Sequence, residues 1–203
     1  MPTRRASILR LDQMATLSSP VRQELLDVFV RMGSVSLAEV AAALGRPADG
    51  LYYHVRLLER VGLVRAVGHR TRAGRQEALY RAAAPDFKLR YAPAPSREAR
   101  ESTRIVTAML RLGIRDFRRA LADPANTLAG ADRDVWALRT TGWLPPARRR
   151  DVLRRIQAVF DTASGGPPQG RLYAVTILLT PIGRGARPAR RAKSPATKKG
   201  VSR

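Results

Sequence analysis

The feature that most constrains this sequence is a run of short helical segments in its first third, each ended by a glycine or a polar turn. The segments are about 11–17, 20–32, 36–44 and 47–60. In each of them apolar residues recur three or four positions apart, as in a helix with one buried face. Ser36 and Glu39 have the spacing of a capping box, which predicts a sharp helix start. We therefore expect a bundle of short helices.

The periodicity changes after Gly62. Residues 63–67 and 78–82 alternate in a way that predicts two strands. The residues between them, 68–75, are polar, bounded by glycines and contain three arginines, which predicts a hairpin loop. Two helices joined by a short turn and followed by a basic hairpin are typical of a winged helix-turn-helix, which binds DNA.

This region resembles the ArsR-type winged-helix regulators. The similar stretches are Leu17–Leu26, which contains LSSPVR, then Ser36–Ala41, and finally Leu51–Val64, which reads LYYHVRLLERVGLV. They resemble the opening, the scaffold helix, and the recognition helix with its exit into the wing. The resemblance covers about residues 10–83 and implies a DNA-binding regulator, a repressor rather than an activator.

The recognition helix and the wing supply the predicted DNA contacts. A recognition helix presents its first turns to base edges in the major groove, and an arginine there binds guanine or phosphate. A wing reaches the minor groove or the flanking phosphates. The predicted DNA-binding residues are Arg46, Ala48, Asp49, Tyr52, Tyr53, His54, Arg56, Arg70, Arg72 and Arg75.

Some of these residues have a second interpretation. Asp49 could accept a hydrogen bond from a cytosine, but an acid in the first helical turn also suits the helix dipole, which we favour. His54 suits a hydrogen bond within the motif as well as a phosphate contact. The wing arginines could form a solvated loop, although their place after a recognition helix favours DNA.

The second half of the chain predicts a small α+β domain over 96–182. Three prolines in 85–95 indicate a linker before it. Ser96 is placed to cap a helix that runs to about residue 122, and a second helix is expected at about 146–162. Strands are expected at 135–141 and 172–180. Four aromatic residues are candidates for a pocket, although a plain core is the commoner use: Trp136, Trp143, Phe160 and Tyr173.

Charge is the second strong signal. The net charge is +22, which favours a polyanionic partner, nucleic acid before membrane. Residues 184–203 hold eight basic and no acidic side chains. We expect 183–203 to be a disordered basic tail, either an arm that adds phosphate contacts or a solubilising end, and 1–9 to be a flexible N-terminus.

Several functions are excluded or disfavoured by composition. The chain has no cysteine and two histidines, which excludes a soft-metal sensor of the kind common among ArsR-type proteins. No nucleophile elbow, phosphate loop or metal-ligand spacing is present, so we expect neither an enzyme nor a cofactor. Without a secretory leader or a span-length apolar run, we expect a cytoplasmic protein associated with the nucleoid.

The sequence thus predicts an α+β protein with an N-terminal winged helix-turn-helix over 10–84. Its partners would be double-stranded DNA and a second copy of itself, and it would repress transcription by occupying an operator. A nucleoid-associated architectural protein, bound mainly through charge, is the alternative. A small-molecule effector in the 96–182 region is compatible with either.

Overall fold

The N-terminal part of the chain folds as predicted into short helices beside a small sheet, except that the helix expected over 47–60 begins at Tyr52 after a 3-10 turn at Asp49–Leu51. The structure, a computed structural model, describes residues 7–164 and 170–183. Its helices are α1 Leu11–Thr16, α2 Pro20–Met32, α3 Leu37–Ala43, α4 Tyr52–Arg60, α5 Arg97–Ala122 and α6 Pro146–Ser164, with a 3-10 turn at Asp49–Leu51. Its strands are β1 Ser7–Ile8, β2 Val35–Ser36, β3 Val64–Arg72, β4 Arg75–Ala82 and β5 Phe87–Lys88. The mixture confirms the α+β class.

The predicted capping box is present at the start of α3. The backbone N–H of Ser36 donates to Glu39 Oε2 at 2.9 Å, and the backbone N–H of Glu39 donates to Ser36 Oγ at 3.3 Å. Two N–H groups that the helix itself leaves unpaired are thereby satisfied. The capping box fixes where α3 begins.

The first four helices and the sheet share one hydrophobic core. Its largest fully buried side chains are Phe29, Met14, Leu25, Leu58 and Leu63. Tyr80 on β4 packs its ring 6.3 Å from that of Phe29. The sheet has the order β2-β4-β3, so β4 is its central strand and joins the wing to the helices.

The wing differs from the prediction of a polar loop over 68–75. Strands β3 and β4 continue antiparallel almost to their tip, and only Ala73 and Gly74 form the turn. Both turn residues have positive φ, 48° and 75°, as a two-residue hairpin turn with the right twist requires. The backbone N–H and C=O groups of these polar residues pair across the two strands. Hydrophobic alternation in the sequence does not reveal this pairing. A register shift between Ala66 and Gly68 bends the ribbon.

Parts of the expected N-terminal tail and linker pack against this domain. Strand β1 pairs in parallel with β5, and Leu9 is buried in the core. Phe87 and Leu89 lie partly buried against the same core. Residues 7–9 and 87–89 therefore belong to the packed unit, whereas we expected 1–9 to be flexible and 85–95 to be a linker.

Helix α5 begins as predicted and docks on the winged helix through its first half. The backbone N–H of Ala99 donates to the Ser96 side chain at 3.0 Å. Ile105, Ala108 and Leu112 are buried. Gln23 on α2 donates a hydrogen bond to the Ile105 carbonyl at 2.9 Å, so α2 and α5 are joined by polar as well as apolar contacts.

The two strands expected in the second half of the chain are not formed. Residues 135–141 and 172–180 have no strand partner within the described part of the chain. The predicted helix is present as α6, but none of its residues is buried. An apolar segment becomes a strand only when another backbone pairs with it, and composition cannot supply that partner. Of the expected basic tail, residues 184–203 lie outside the described residues.

Replacing Ser36 by Ala should destabilise the domain. The substitution removes the acceptor for the Glu39 N–H and frees the Glu39 carboxylate from its reciprocal bond. The expected loss is about 1 kcal/mol in the free energy of unfolding, measured by urea denaturation. Ser34→Ala, at an exposed position two residues earlier, is the matched control and should leave the midpoint unchanged. Equal midpoints for both variants would contradict the capping role.

Candidate nucleic-acid interface

Helix α4 is divided cleanly into a buried face and an exposed face. Val55 and Leu58 are buried in the core, as is Leu51 just before the helix. On the opposite side, Tyr52 and Tyr53 are 53% and 66% exposed. Large aromatic side chains left in solvent at the start of a helix are unusual in a protein with a well-formed core. They make this surface a candidate for contact with a partner.

Arg56 lies one turn further along the same exposed side of α4. It is exposed, and it forms no ion pair with any acid in the described residues. Asp49 is exposed in the 3-10 turn that precedes α4. Its position suits both interpretations given above, namely a favourable interaction with the dipole of the following helix and a hydrogen bond accepted from a cytosine amino group. Tyr52, Tyr53, Arg56 and Asp49 are therefore accessible together.

Arg46 and Ala48 are placed differently. The Arg46 guanidinium is 2.9 Å from Glu24 Oε2 on α2, and both side chains are mostly buried. Ala48 is half-buried and packs against the core. Both residues therefore have positions that hold the turn before α4 in place, and their contact with DNA stays a prediction.

Glu24 also binds a residue of the second half of the chain. Arg115 on α5 donates to Glu24 Oε2 at 3.2 Å and, through Nη2, to Glu24 Oε1. A single carboxylate thus joins α2, the turn before α4, and α5. Sequence patterns do not reveal this triad, because its members are far apart in the chain and meet only in the fold.

His54 is half-buried on α4. Burial, and then the positive charge of Arg22, lower the pKa of its imidazole. Its Nδ1 atom has no hydrogen-bond partner among the described residues, and its ring lies 5.5 Å from that of Tyr53. Both roles of His54, a phosphate contact and a hydrogen bond within the motif, stay predictions.

The three predicted wing arginines share one face of the β3–β4 ribbon. Arg70 pairs with Glu77 and Arg72 with Arg75 in the strand register, two positions apart. Arg70 is tied to Glu39 at 2.9 Å and to Glu77 at 3.2 Å, whereas Arg72 lies 3.9 Å from Glu39. Arg75 forms no ion pair within the described residues. Arg70 therefore holds the wing against α3. Of the three wing arginines, Arg75 at the tip is the one without an acidic partner in the described residues.

A further pair of arginines was missed in the sequence. Arg65 and Arg81 lie directly opposite each other on β3 and β4, and both are exposed. Like charges in this position repel, and no acid within the described residues pairs with either of them. A polyanion would relieve the repulsion. The pair depends on the register, which the sequence pattern does not fix.

A shallow apolar groove lies at the end of α5. Its volume is about 320 Å³, and it is lined by Phe117, Leu121, Leu128, Val135, Trp136 and Leu138, together with Arg133. The Arg133 guanidinium stacks on the Trp136 ring at 4.2 Å. The other aromatics proposed for a pocket, Trp143, Phe160 and Tyr173, are exposed. These four aromatic residues therefore do not form an enclosed pocket in the chain as described.

Within residues 7–164 and 170–183, no three His, Cys, Asp or Glu side chains are placed to hold a metal ion. None of the helices in those ranges is long and apolar enough to cross a membrane.

Comparison with known proteins agrees with this geometry. A family model described as a helix-turn-helix domain matches residues 17–67, which run from the end of α1 into β3 and include α3 and α4. No curated protein matches the sequence significantly. The chain therefore carries a helix-turn-helix domain, and its class is that of the DNA-binding transcription regulators.

Arg75 and Arg70 should respond differently to replacement by Ala. Arg75→Ala should weaken DNA binding severalfold and lower the salt slope of log K by about one, because one phosphate contact is lost. Arg70→Ala should speed amide exchange in β3 and β4, since Glu39 and Glu77 lose their shared partner. The measurements are fluorescence anisotropy at several salt concentrations and hydrogen exchange. Faster exchange in Arg75→Ala with an unchanged salt slope would reverse the assignment.

Proposed function

We propose that the protein is a sequence-specific transcriptional regulator of the ArsR type that binds DNA as a homodimer and represses by occupying an operator. The observation that carries the proposal is the exposed face of α4, where Tyr52, Tyr53 and Arg56 are presented in solvent opposite a fully buried face. In this proposal the protein is not an enzyme and needs no cofactor.

The proposed mechanism assigns separate tasks to α4 and to the wing. Helix α4 enters the major groove, where Arg56 binds a guanine edge or a phosphate. The two tyrosines donate to phosphate oxygens and pack on sugars or thymine methyl groups. Arg72 and Arg75 at the end of the wing bind the neighbouring backbone or minor groove. Phosphate contacts set the register of the protein on the duplex, and contacts to bases give it a preferred site.

The second half of α5 supports a homodimer. Its exposed apolar residues follow one another at intervals of four, three and four positions, the spacing of a seam between two helices. They are Leu110, Ile114, Phe117 and Leu121. Two identical DNA-binding domains, one in each protomer, match the two-fold symmetry of a palindromic operator. The resemblance to the ArsR type is the basis for proposing repression, in which the occupied operator excludes polymerase.

An architectural DNA-binding protein is the second candidate. The net charge of +22 and the eight basic residues in 184–203 favour it. The two candidates differ in what happens at raised salt. A regulator keeps a preferred site in the presence of competitor DNA, whereas a protein held by charge loses all its binding together.

Arg56→Ala should reduce binding to a site selected from genomic fragments by about 1–3 kcal/mol while leaving nonspecific binding nearly unchanged. The measurement is competition between that site and unrelated DNA at raised salt. Arg100→Ala is the matched control, since it removes one exposed positive charge from α5. A loss that is equal in the two variants would favour the architectural candidate, whereas a loss in Arg56→Ala alone that is equal for selected and unrelated DNA would assign Arg56 to a phosphate.

A further inference from the structure

The second half of the chain exposes many large apolar side chains. Eighteen large apolar side chains between residues 110 and 182 are 37% to 77% exposed, and α6 buries none of its residues. They come from α5, from the segment after it, from α6 and from residues 172–182. Contiguous surfaces of this kind mark places where another molecule binds.

Two extended segments in this region have unpaired backbones. Residues 135–144 and 171–182 make no backbone–backbone hydrogen bond within the described part of the chain. Residues 172–179 read LYAVTILL, which is apolar on both faces of an extended chain. A strand of this composition belongs inside a sheet that is covered on both sides. The two segments therefore have the properties of strands without a sheet.

Polar contacts already hold these segments close to each other and to α5. The Tyr173 hydroxyl donates to Asp134, and Arg171 lies 3.4 Å from Asp123 and 3.6 Å from Asp134. A Cβ placed on Gly113 of α5 would lie 3.8 Å from Thr176 Oγ1. The segments are thus anchored in position, with their backbone donors and acceptors still available.

The residues outside the described ranges carry few large apolar side chains. Outside the described ranges lie residues 1–6, 165–169 and 184–203. Their only large apolar side chains are Met1 and Val201. A lipid bilayer is also a poor cover, because the segments carry Asp134, Arg139 and Arg171 and unpaired backbone groups are costly in hydrocarbon. The missing partner must offer both strands and apolar surface.

A second copy of this chain offers both. We propose that residues 134–141 and 171–180 pair with the same two segments of a second copy to form an intermolecular sheet, which closes the homodimer and buries the apolar side chains of α5 and α6. In a two-fold dimer the same patch of each protomer meets its counterpart, so edges that are unpaired in one chain are paired in two. The open groove beside Trp136 becomes part of the interior of the dimer.

The test is made on the full chain without DNA. Because a homodimer is part of the proposed function, this interface rests on that function, and omitting DNA keeps the two claims separate. Sedimentation velocity should show a dimer at micromolar concentration. Hydrogen exchange should show amides of 171–180 that become more protected as protein concentration rises. A monomer, or a dimer in which these amides exchange freely, would overturn the interface.

A matched pair of variants at Thr176 locates the interface. Thr176→Pro removes a backbone N–H from the middle of the segment, whereas Thr176→Val keeps it and keeps the branched shape. The proline variant should dissociate at least about tenfold more readily than the valine variant, with the melting of the winged helix unchanged in both. Equal dimer stability in the two variants would contradict pairing through this segment.

Cross-linking gives a second measurement that does not depend on loss of stability. The chain has no cysteine, so single cysteines can be introduced without background. Among Ala174→Cys, Thr176→Cys and Leu178→Cys, the position nearest the two-fold axis should form a disulfide dimer under mild oxidation. Ala42→Cys, exposed on α3, should not. If the protein binds DNA but gives no cross-link in this segment, the proposed function would stand and the proposed interface would be wrong.

Discussion

The burial of one face of α4 is the constraint on which the DNA-reading surface depends. Leu51, Val55 and Leu58 insert into the core formed by α1, α2, α3 and the sheet. A helix has only one orientation that buries these three side chains, and this orientation turns Tyr52, Tyr53 and Arg56 outward. The buried residues alone fix the direction in which the exposed side chains point. The exposed residues can therefore vary to suit a partner without a change in the core.

The Glu24 carboxylate connects this surface to the second half of the chain. It accepts from Arg46, which immediately precedes Pro47 and the turn into α4, and from Arg115 on α5. Because all three groups are at least two-thirds buried, an unpaired member would be costly. Helix α5 is thereby fixed relative to the reading helix. In the proposed dimer, the same contact sets the separation of the two α4 helices.

Local patterns predicted the winged helix well and the second half poorly. Short helices, the Ser36 capping box and the Ser96 cap depend on residues a few positions apart, and the sequence shows them directly. The side of the wing on which Arg70, Arg72 and Arg75 lie depends on strand register, as does the Arg65–Arg81 pair. Residues 135–141 and 172–180 have the composition of strands, but a strand also needs a partner backbone. Within the described residues of one chain that partner is missing, so composition alone predicted a sheet that the chain does not form by itself.

The central claim, that α4 reads a preferred DNA sequence, is tested most directly by hydroxyl-radical footprinting. The full chain would be bound to a fragment selected from genomic DNA, at a salt concentration that suppresses nonspecific binding. The expected footprint has two protected half-sites whose centres are about one helical turn, 10–10.5 base pairs, or a multiple of it apart. Uniform protection along the fragment, with no preferred position, would contradict the claim.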